Sequence, residues 1–459
     1  MNIGNPEFRR NLWLELTPAR LGVSFLAVVS LLALAGLRDS TLSGLQYAAE
    51  LLFGIAVFLW GGRLAADAVV QEIADRTWDS QRMSSLGPWG MSWGKLFGAP
   101  ICAWAAALPA LAAMVYAAPD IASGLRVAAT YALLGVLCHA VALTLSLQSV
   151  RKGRQPGRLK TLFFHLLALA VVLPFAYFLV WSDSLPADFD LRWFFVPLTS
   201  EEFALASALV FSAWAVLGVY RQMRLELQKP TGPTAWLAFL AFLIVYQTGL
   251  IVGSGYELDK FLWDLAGESL VGTHWVSVAL LAAGLLLSSL VYLAIFTEPK
   301  SMIGLRQAWE AFRRGDLRGL WLHTPRWAVT LKLTAIVAIL ILVFVRLPES
   351  AANYEIELHR YVLASFLFLL RNVGIVLLCN FMAPGGRGDM AAFIVLAVLS
   401  LIAPMIVAGA PDSVTAIFWP PVTGSWASTL IPILAQIVLV GGLLLRVWLQ
   451  AEKRRNKPV

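Results

Sequence analysis

Ala66–Gly98 reads ADAVVQEIADRTWDSQRMSSLGPWGMSWGKLFG, a polar, mixed-charge stretch set between two long apolar runs. In a chain this hydrophobic, such an island belongs outside the bilayer. Asp67 to Leu86 contains no Pro or Gly, so it is expected to form one helix. Val69, Ile73 and Thr77 at i, i+4, i+8 make a semi-apolar face, and Asp75, Asp79 and Arg82 a charged one. Gly87-Pro88 ends the helix, and Gly94-Lys95-Leu96 leads back into the membrane.

Composition sets the class. Of 459 residues, 59% are apolar and only 14% charged, against about 25% charged in soluble domains. The expected fold is an all-α, polytopic transmembrane bundle. The net charge of +7 is explained by cationic loops retained in the cytoplasm, with no nucleic acid implied. No cleavable signal pattern follows Leu37, so the first span is expected to stay as an anchor.

Twelve spans are expected. The first six are Leu21–Leu37, Leu42–Gly62, Leu96–Ala117, Val127–Val150, Thr161–Trp181 and Phe203–Tyr220. The second six are Ala235–Gly253, Val276–Phe296, Leu331–Val345, Tyr361–Met382, Met390–Gly409 and Leu430–Leu449. Most reach the ~20 residues that cross a bilayer. With both termini in the cytoplasm, only Arg38, Arg126, Arg192, Lys260, Arg346 and Arg360 of the 35 basic residues fall outside, and Arg371 lies within a span. That asymmetry supports the orientation and the even count. The outer loops are acidic: Asp183, Asp188, Asp190, Glu201 and Glu202 in one, Glu257, Asp259, Asp264 and Glu268 in another.

The spans group into two halves, 1–228 and 229–459, divided near Lys229-Pro230. In each half the longest cytoplasmic loop follows the second span. In the second half it is Thr297–Thr330, with a helix expected over Met302–Arg314 and a break at Gly315. Before the first span, Glu7–Leu16 reads as an amphipathic helix with Phe8, Leu12 and Leu16 on one face, suited to lying flat on the membrane.

Chemistry-bearing motifs are sparse. The chain has no G-x-x-x-x-G-K-[ST] loop and no H-E-x-x-H, C-x-x-C or G-x-S-x-G. No catalytic, cofactor-binding or metal residue is assigned. Cys102, Cys138 and Cys379 lie in apolar runs as structural thiols. His139 and His165 are read as packing residues rather than a two-span metal site. Arg371, beside Asn372, lies near the centre of the tenth span, where a charge costs at least ~2.5 kcal/mol. Glu50 in the second span is its candidate partner, in a buried ion pair or along a translocation path. Pro100, Pro109, Pro174, Pro404 and Pro432 in or near spans mark kinks.

The residues alone leave the island open between a solvated loop helix and a coupling helix that passes force from a soluble motor to the spans. Glu72, then Thr77-Trp78-Asp79, then Leu86 and Pro88, then Gly94-Lys95-Leu96 resembles the cytoplasmic segment of ABC-transporter permeases of the type-2 exporter family. That family usually has Gly before the Thr, where this chain has Arg76, which bears on the local turn. Tyr220-Arg221-Gln222-Met223-Arg224 is similar to the exit of the sixth span in such permeases. Glu298-Pro299-Lys300 and Thr324-Pro325-Arg326-Trp327 match the family less specifically.

The resemblance implies a permease subunit in a bacterial cytoplasmic membrane. Separate nucleotide-binding ATPase subunits would carry ATP and Mg, with Glu72, Thr77, Trp78, Asp79 and Lys95 in ATPase coupling. Thr297–Thr330 would be the second docking site; if it does not dock, two copies of the chain are needed. The transported substrate stays open. Two other classes fit the bare sequence: a secondary transporter driven by an ion gradient, and an integral-membrane enzyme acting on lipid-linked substrates.

Overall fold

The computed structural model describes residues 4–38, 42–151, 158–182, 191–229, 231–253, 275–345, 352–383, 387–407, 409, 412–420 and 425–455. Asp183, Asp188 and Asp190 of the first acidic loop, and the four acidic residues of the second, lie outside them. The only strands among the described residues are two short pieces, Arg192–Trp193 and Val196–Pro197.

The chain forms two compact units. One comprises Met1–Leu191 and Pro197–Thr231, the other Arg192–Val196 and Gly232–Val459. The first begins with α1 (Pro6–Glu15) and α2 (Pro18–Arg38). A continuous helical run follows: α3 (Leu42–Phe53), a π-helical segment (Gly54–Gly61), α4 (Gly62–Asp67) and α5 (Val70–Ala74). Next come α6 (Trp78–Arg82), α7 (Pro88–Gly98), α8 (Ile101–Ala117), α9 (Ile121–Arg151), α10 (Arg158–Ser182) and α11 (Ser200–Glu226).

The second unit holds α12 (Thr234–Gly253), α13 (Trp275–Thr297), α14 (Met302–Arg313), α15 (Leu317–His323), α16 (Arg326–Phe344) and α17 (Ala352–Met382). It continues with α18 (Gly388–Ala397), a π-helical turn (Val398–Ile402), α19 (Ala403–Ile406), α20 (Asp412–Thr415) and α21 (Trp426–Arg455).

Eleven of these helical runs are long and apolar enough to cross a bilayer, and the bent pair α7–α8 brings the number to twelve. The protein is therefore an all-α, multi-pass membrane protein. The expected span Leu96–Ala117 needs correction. It is a broken helix whose arms meet at 55°, with Pro100 capping the second arm, where proline cannot donate to the preceding turn. Pro109, Pro174 and Pro432 lie inside helices.

The π-helical segment in the second span has a local cause. A π turn shifts the backbone bonds by one residue and leaves carbonyls to be satisfied from outside. His139 Nε2 lies 2.9 Å from the Val57 carbonyl, and His165 Nε2 lies 2.9 Å from that of Phe58. Both rings are buried, and each must carry its proton on Nε2 to donate. That accounts for both histidines as hydrogen-bonding residues. Among the described residues no group of three or more His, Cys, Asp or Glu is arranged to hold a metal.

Candidate functional site: a buried charge cluster under the polar island

The island is not one helix. The expectation of a continuous helix over Asp67–Leu86 is overturned by a turn between α5 and α6, where Arg76 adopts φ of 60°. The turn is closed by the Thr77 amide, which donates to the Glu72 carbonyl at 2.9 Å, and by the Thr77 hydroxyl, which donates to the same oxygen at 3.2 Å. There is a geometric reason for it. Glu72 and Trp78 are both buried, yet on an unbroken helix six residues would place them about 120° apart. Reversing the chain at 75–77 brings both side chains to one side. Arg76 thus occupies, at a cost, the left-handed conformation that Gly adopts freely.

The expected semi-apolar face is also revised. Val69 is fully buried and Ile73 packs partly against the same cluster, but Thr77 is exposed. On the charged side, Asp75 and Asp79 are exposed, and the Asp79 side chain, 84% exposed, lies 3.6 Å from Arg82.

α1 forms where expected, with Phe8 of the expected apolar face buried and Leu12 and Leu16 half-buried. Its buried face is Asn5, Glu7, Phe8 and Asn11, mostly polar, while Trp13 and Leu14 are exposed. The cause is α7. Gly90, Gly94 and Gly98 recur every fourth residue and make a side-chain-free ridge, the small-residue spacing that lets two helices approach closely. A Cβ at Gly94 would stand 2.6 Å from Glu7 Cγ, and one at Gly98 2.8 Å from Asn11 Cβ. The bared carbonyls recruit amides: Asn5 Nδ2 donates to Gly90 O at 2.6 Å, and Asn11 Nδ2 to Gly94 O at 3.2 Å. Asn5 also caps α1 by accepting from the Glu7 and Phe8 amides.

At the junction of these helices lies Lys95. Its side chain is 1% exposed, in contact with Glu7 (4%) and Glu72 (10%). Its ammonium donates to Glu7 Oε1 at 3.0 Å, to Gln81 Oε1 at 2.9 Å and to Glu72 Oε2. Trp78 lies against the same ammonium, ring centroid 5.1 Å from Nζ. Arg10 completes the group from α1, donating to Glu72 and lying 3.7 Å from Glu7. Two carboxylates and two cations thus balance. All three Lys95 protons are used in these contacts. α1, α5, α6 and α7 meet in this cluster.

Below it, Val69, Trp78, Met91 and Leu96 pack with Ala140, Leu143 and Leu147 of α9 and Val219 and Met223 of α11. Trp89 meets the Tyr220 ring edge-on at 5.7 Å, so the sixth-span exit Tyr220–Arg224 abuts the island. The cluster has chemistry for holding elements together. It has no nucleophile or acid–base pair open to solvent. Glu72, Trp78 and Lys95 are thus brought together, whereas Thr77 and Asp79 lie on the solvent side. Glu7, Arg10 and Gln81 were missed. The one signal for Glu7 and Arg10 was the unusual polarity of α1, a helix otherwise read for its apolar positions.

No family model, curated relative or solved structure matches this chain. The likeness to type-2 exporter permeases therefore rests on the quoted residues alone.

Arg371 and Glu50 each find partners in their own unit. The Arg371 guanidinium, 1% exposed, donates from Nε and Nη2 to Asn372 Oδ1 at 2.9 and 2.7 Å, and from Nη1 to Gln436 Oε1 at 2.7 Å. Phe368 lies beneath it at 4.6 Å, and Asn372 donates to the Tyr292 hydroxyl at 2.7 Å. Glu50 accepts from Gln46 at 3.2 Å and from the Tyr131 hydroxyl at 3.0 Å. Amides, a hydroxyl and a ring face surround the arginine, which can hold a cation at bilayer depth.

Proposed function

We propose that this chain is the membrane permease subunit of an ATP-driven exporter whose ATPase is a separate polypeptide. The observation that carries the reading is the charge cluster, in which Glu72, Trp78 and Lys95, three of the residues behind the family resemblance, join α1 to the island. A coupling element must be exposed where the motor pushes and stiff where the push is passed on. The island has both properties: Asp75, Thr77 and Asp79 are exposed, while Glu72 and Trp78 are locked beneath them. Displacement of the exposed turn would travel through Lys95 to α7 and across the bend into α8. Two packings of the spans, biased by the partner, would then alternate.

The test is purification of the tagged chain in mild detergent with identification of what co-elutes. A nucleotide-binding ATPase is expected, with ATP hydrolysis in the eluate. Asp79→Lys, an exposed change, is expected to abolish co-elution while leaving the melting temperature unchanged. Reversal of Glu72 does not serve as a docking test, since it would put two cations beside the buried Lys95. A homogeneous eluate without an ATPase would sink the proposal.

A second reading, transport driven by an ion gradient, draws on Glu50, a carboxylate within a span and hydrogen-bonded by Tyr131. Glu50→Gln would abolish transport under that reading and leave ATP-driven transport intact under the first.

A further inference from the structure

We infer that the second polar island, α14–α15, is a membrane-surface anchor that takes anionic lipid headgroups. The island joins two candidate spans, α13 ending at Thr297 and α16 beginning at Arg326, so both its ends adjoin segments that cross the bilayer. It folds as a helical hairpin. Gly315 turns the chain at φ of 70°, and Asp316 caps α15 by accepting from the Gly319 amide at 2.9 Å. Ala311 is buried in the hairpin, and Leu305 packs on the core of its unit.

The outer edge is what a water-facing hairpin would not carry. Trp309, Phe312 and Leu317 are 54%, 61% and 78% exposed, and the first two rings stack at 5.6 Å. Arg313, Arg314 and Arg318 are exposed beside them. Aromatic and aliphatic side chains flanked by arginines are the pattern of a helix lying in the interface, with its apolar edge among the acyl chains and its cations among phosphates. The charge argues for lipid: the rim carries Arg313, Arg314 and Arg318 against Glu310 and Asp316, with Arg314 3.7 Å from Glu310, and the island is set between two candidate spans. The exposed turn of the first island presents Asp75 and Asp79 with Arg76 between them, a net negative charge that an anionic surface does not attract.

The test uses the full chain in lipid nanodiscs. Cys102, Cys138 and Cys379 are replaced by Ala, and a nitrobenzoxadiazole label is placed through Phe312→Cys or, as the aqueous control, Asp79→Cys. At 312 the emission is expected to be blue-shifted and quenched by lipid spin-labelled near the headgroup. Phosphatidylglycerol should strengthen that quenching relative to phosphatidylcholine alone. Arg313→Gln, Arg314→Gln and Arg318→Gln together should remove the phosphatidylglycerol increment, on the order of fivefold in local partition per arginine, and leave the phosphatidylcholine signal. Water-like emission at 312, equal to that at 79, overturns the inference. So does a blue shift that spin-labelled lipid fails to quench, since protein would then cover the edge. An unchanged increment in the triple variant overturns the anionic-lipid assignment. None of these readouts depends on an ATPase partner.

Discussion

The two polar islands follow the second helical run of their units and handle charge in opposite ways. In the first, Lys95 and two glutamates are drawn under the surface with a half-exposed Arg10 against them, and the exposed turn carries Asp75, Arg76, Thr77 and Asp79. In the second, Arg313, Arg314 and Arg318 stand outside and the rings of Trp309 and Phe312 stand with them. The second island has a buried ion pair of its own, Lys300 with Asp389, joined by Asn380 at 3.1 Å. That pair ties the approach to α14 onto α18, and on the hairpin itself Arg314 lies 3.7 Å from Glu310. The difference teaches that sequence polarity does not by itself report exposure: a charged residue goes inside when its complement arrives from elsewhere in the chain.

The sharpest way to break the comparison is Lys95→Met. It would leave Glu7 and Glu72 buried with Arg10 alone, and removing one partner of a buried pair costs about 3–5 kcal/mol. Thermal unfolding in detergent should show a larger loss than for Lys300→Met, which strands a single carboxylate. Equal losses would mean that the first island is no more tightly assembled than the second. Gly94→Ala comes next. Its methyl would meet Glu7 Cγ at 2.6 Å, and forcing helices apart in a packed interface costs about 1–3 kcal/mol. The same change at Gly304 in α14, whose Cβ would meet nothing closer than 3.8 Å, should be neutral or slightly stabilising.

Arg76→Gly should raise the melting temperature, because the turn holds an arginine at positive φ. The gain should not exceed about 1 kcal/mol, since glycine also loosens the unfolded chain. A loss instead would mean that the Arg76 side chain stabilises the turn. Asp79→Lys should alter stability least, within about 0.5 kcal/mol, while removing the proposed ATPase from the eluate. Subunit counting sharpens the comparison further. If the second island is committed to lipid, each chain offers one docking island, and native mass spectrometry of the exporter should find two copies of the chain. One copy with two ATPases would assign the second island a docking role as well.

Much of this was legible beforehand. The helical membrane class follows from composition, and the span positions from apolar runs of the right length. Met302–Arg313 and the Gly315 turn lie where the pattern placed them, because local capping and a left-handed glycine decide both. Within the first island, Glu72, Trp78 and Lys95 were singled out by resemblance, and the structure brings them together.

What was not legible has one physical cause. Arg10 and Glu72 are 62 residues apart, and Lys95 lies 88 from Glu7, so no local pattern could pair them. Read locally, α1 was an amphipathic helix with Phe8, Leu12 and Leu16 on one face, and 67–86 was one helix with Thr77 on its semi-apolar face. The first missed the polar contacts that Glu7 and Asn11 make with α7, and the second failed at the Arg76 turn. By itself, the sequence determined that the chain lives in a membrane and where its polar islands fall, since those depend on how many apolar residues stand in a row. Which charges go inside was decided only in three dimensions, because an ion can leave water only where its counter-charge and hydrogen-bond partners already wait.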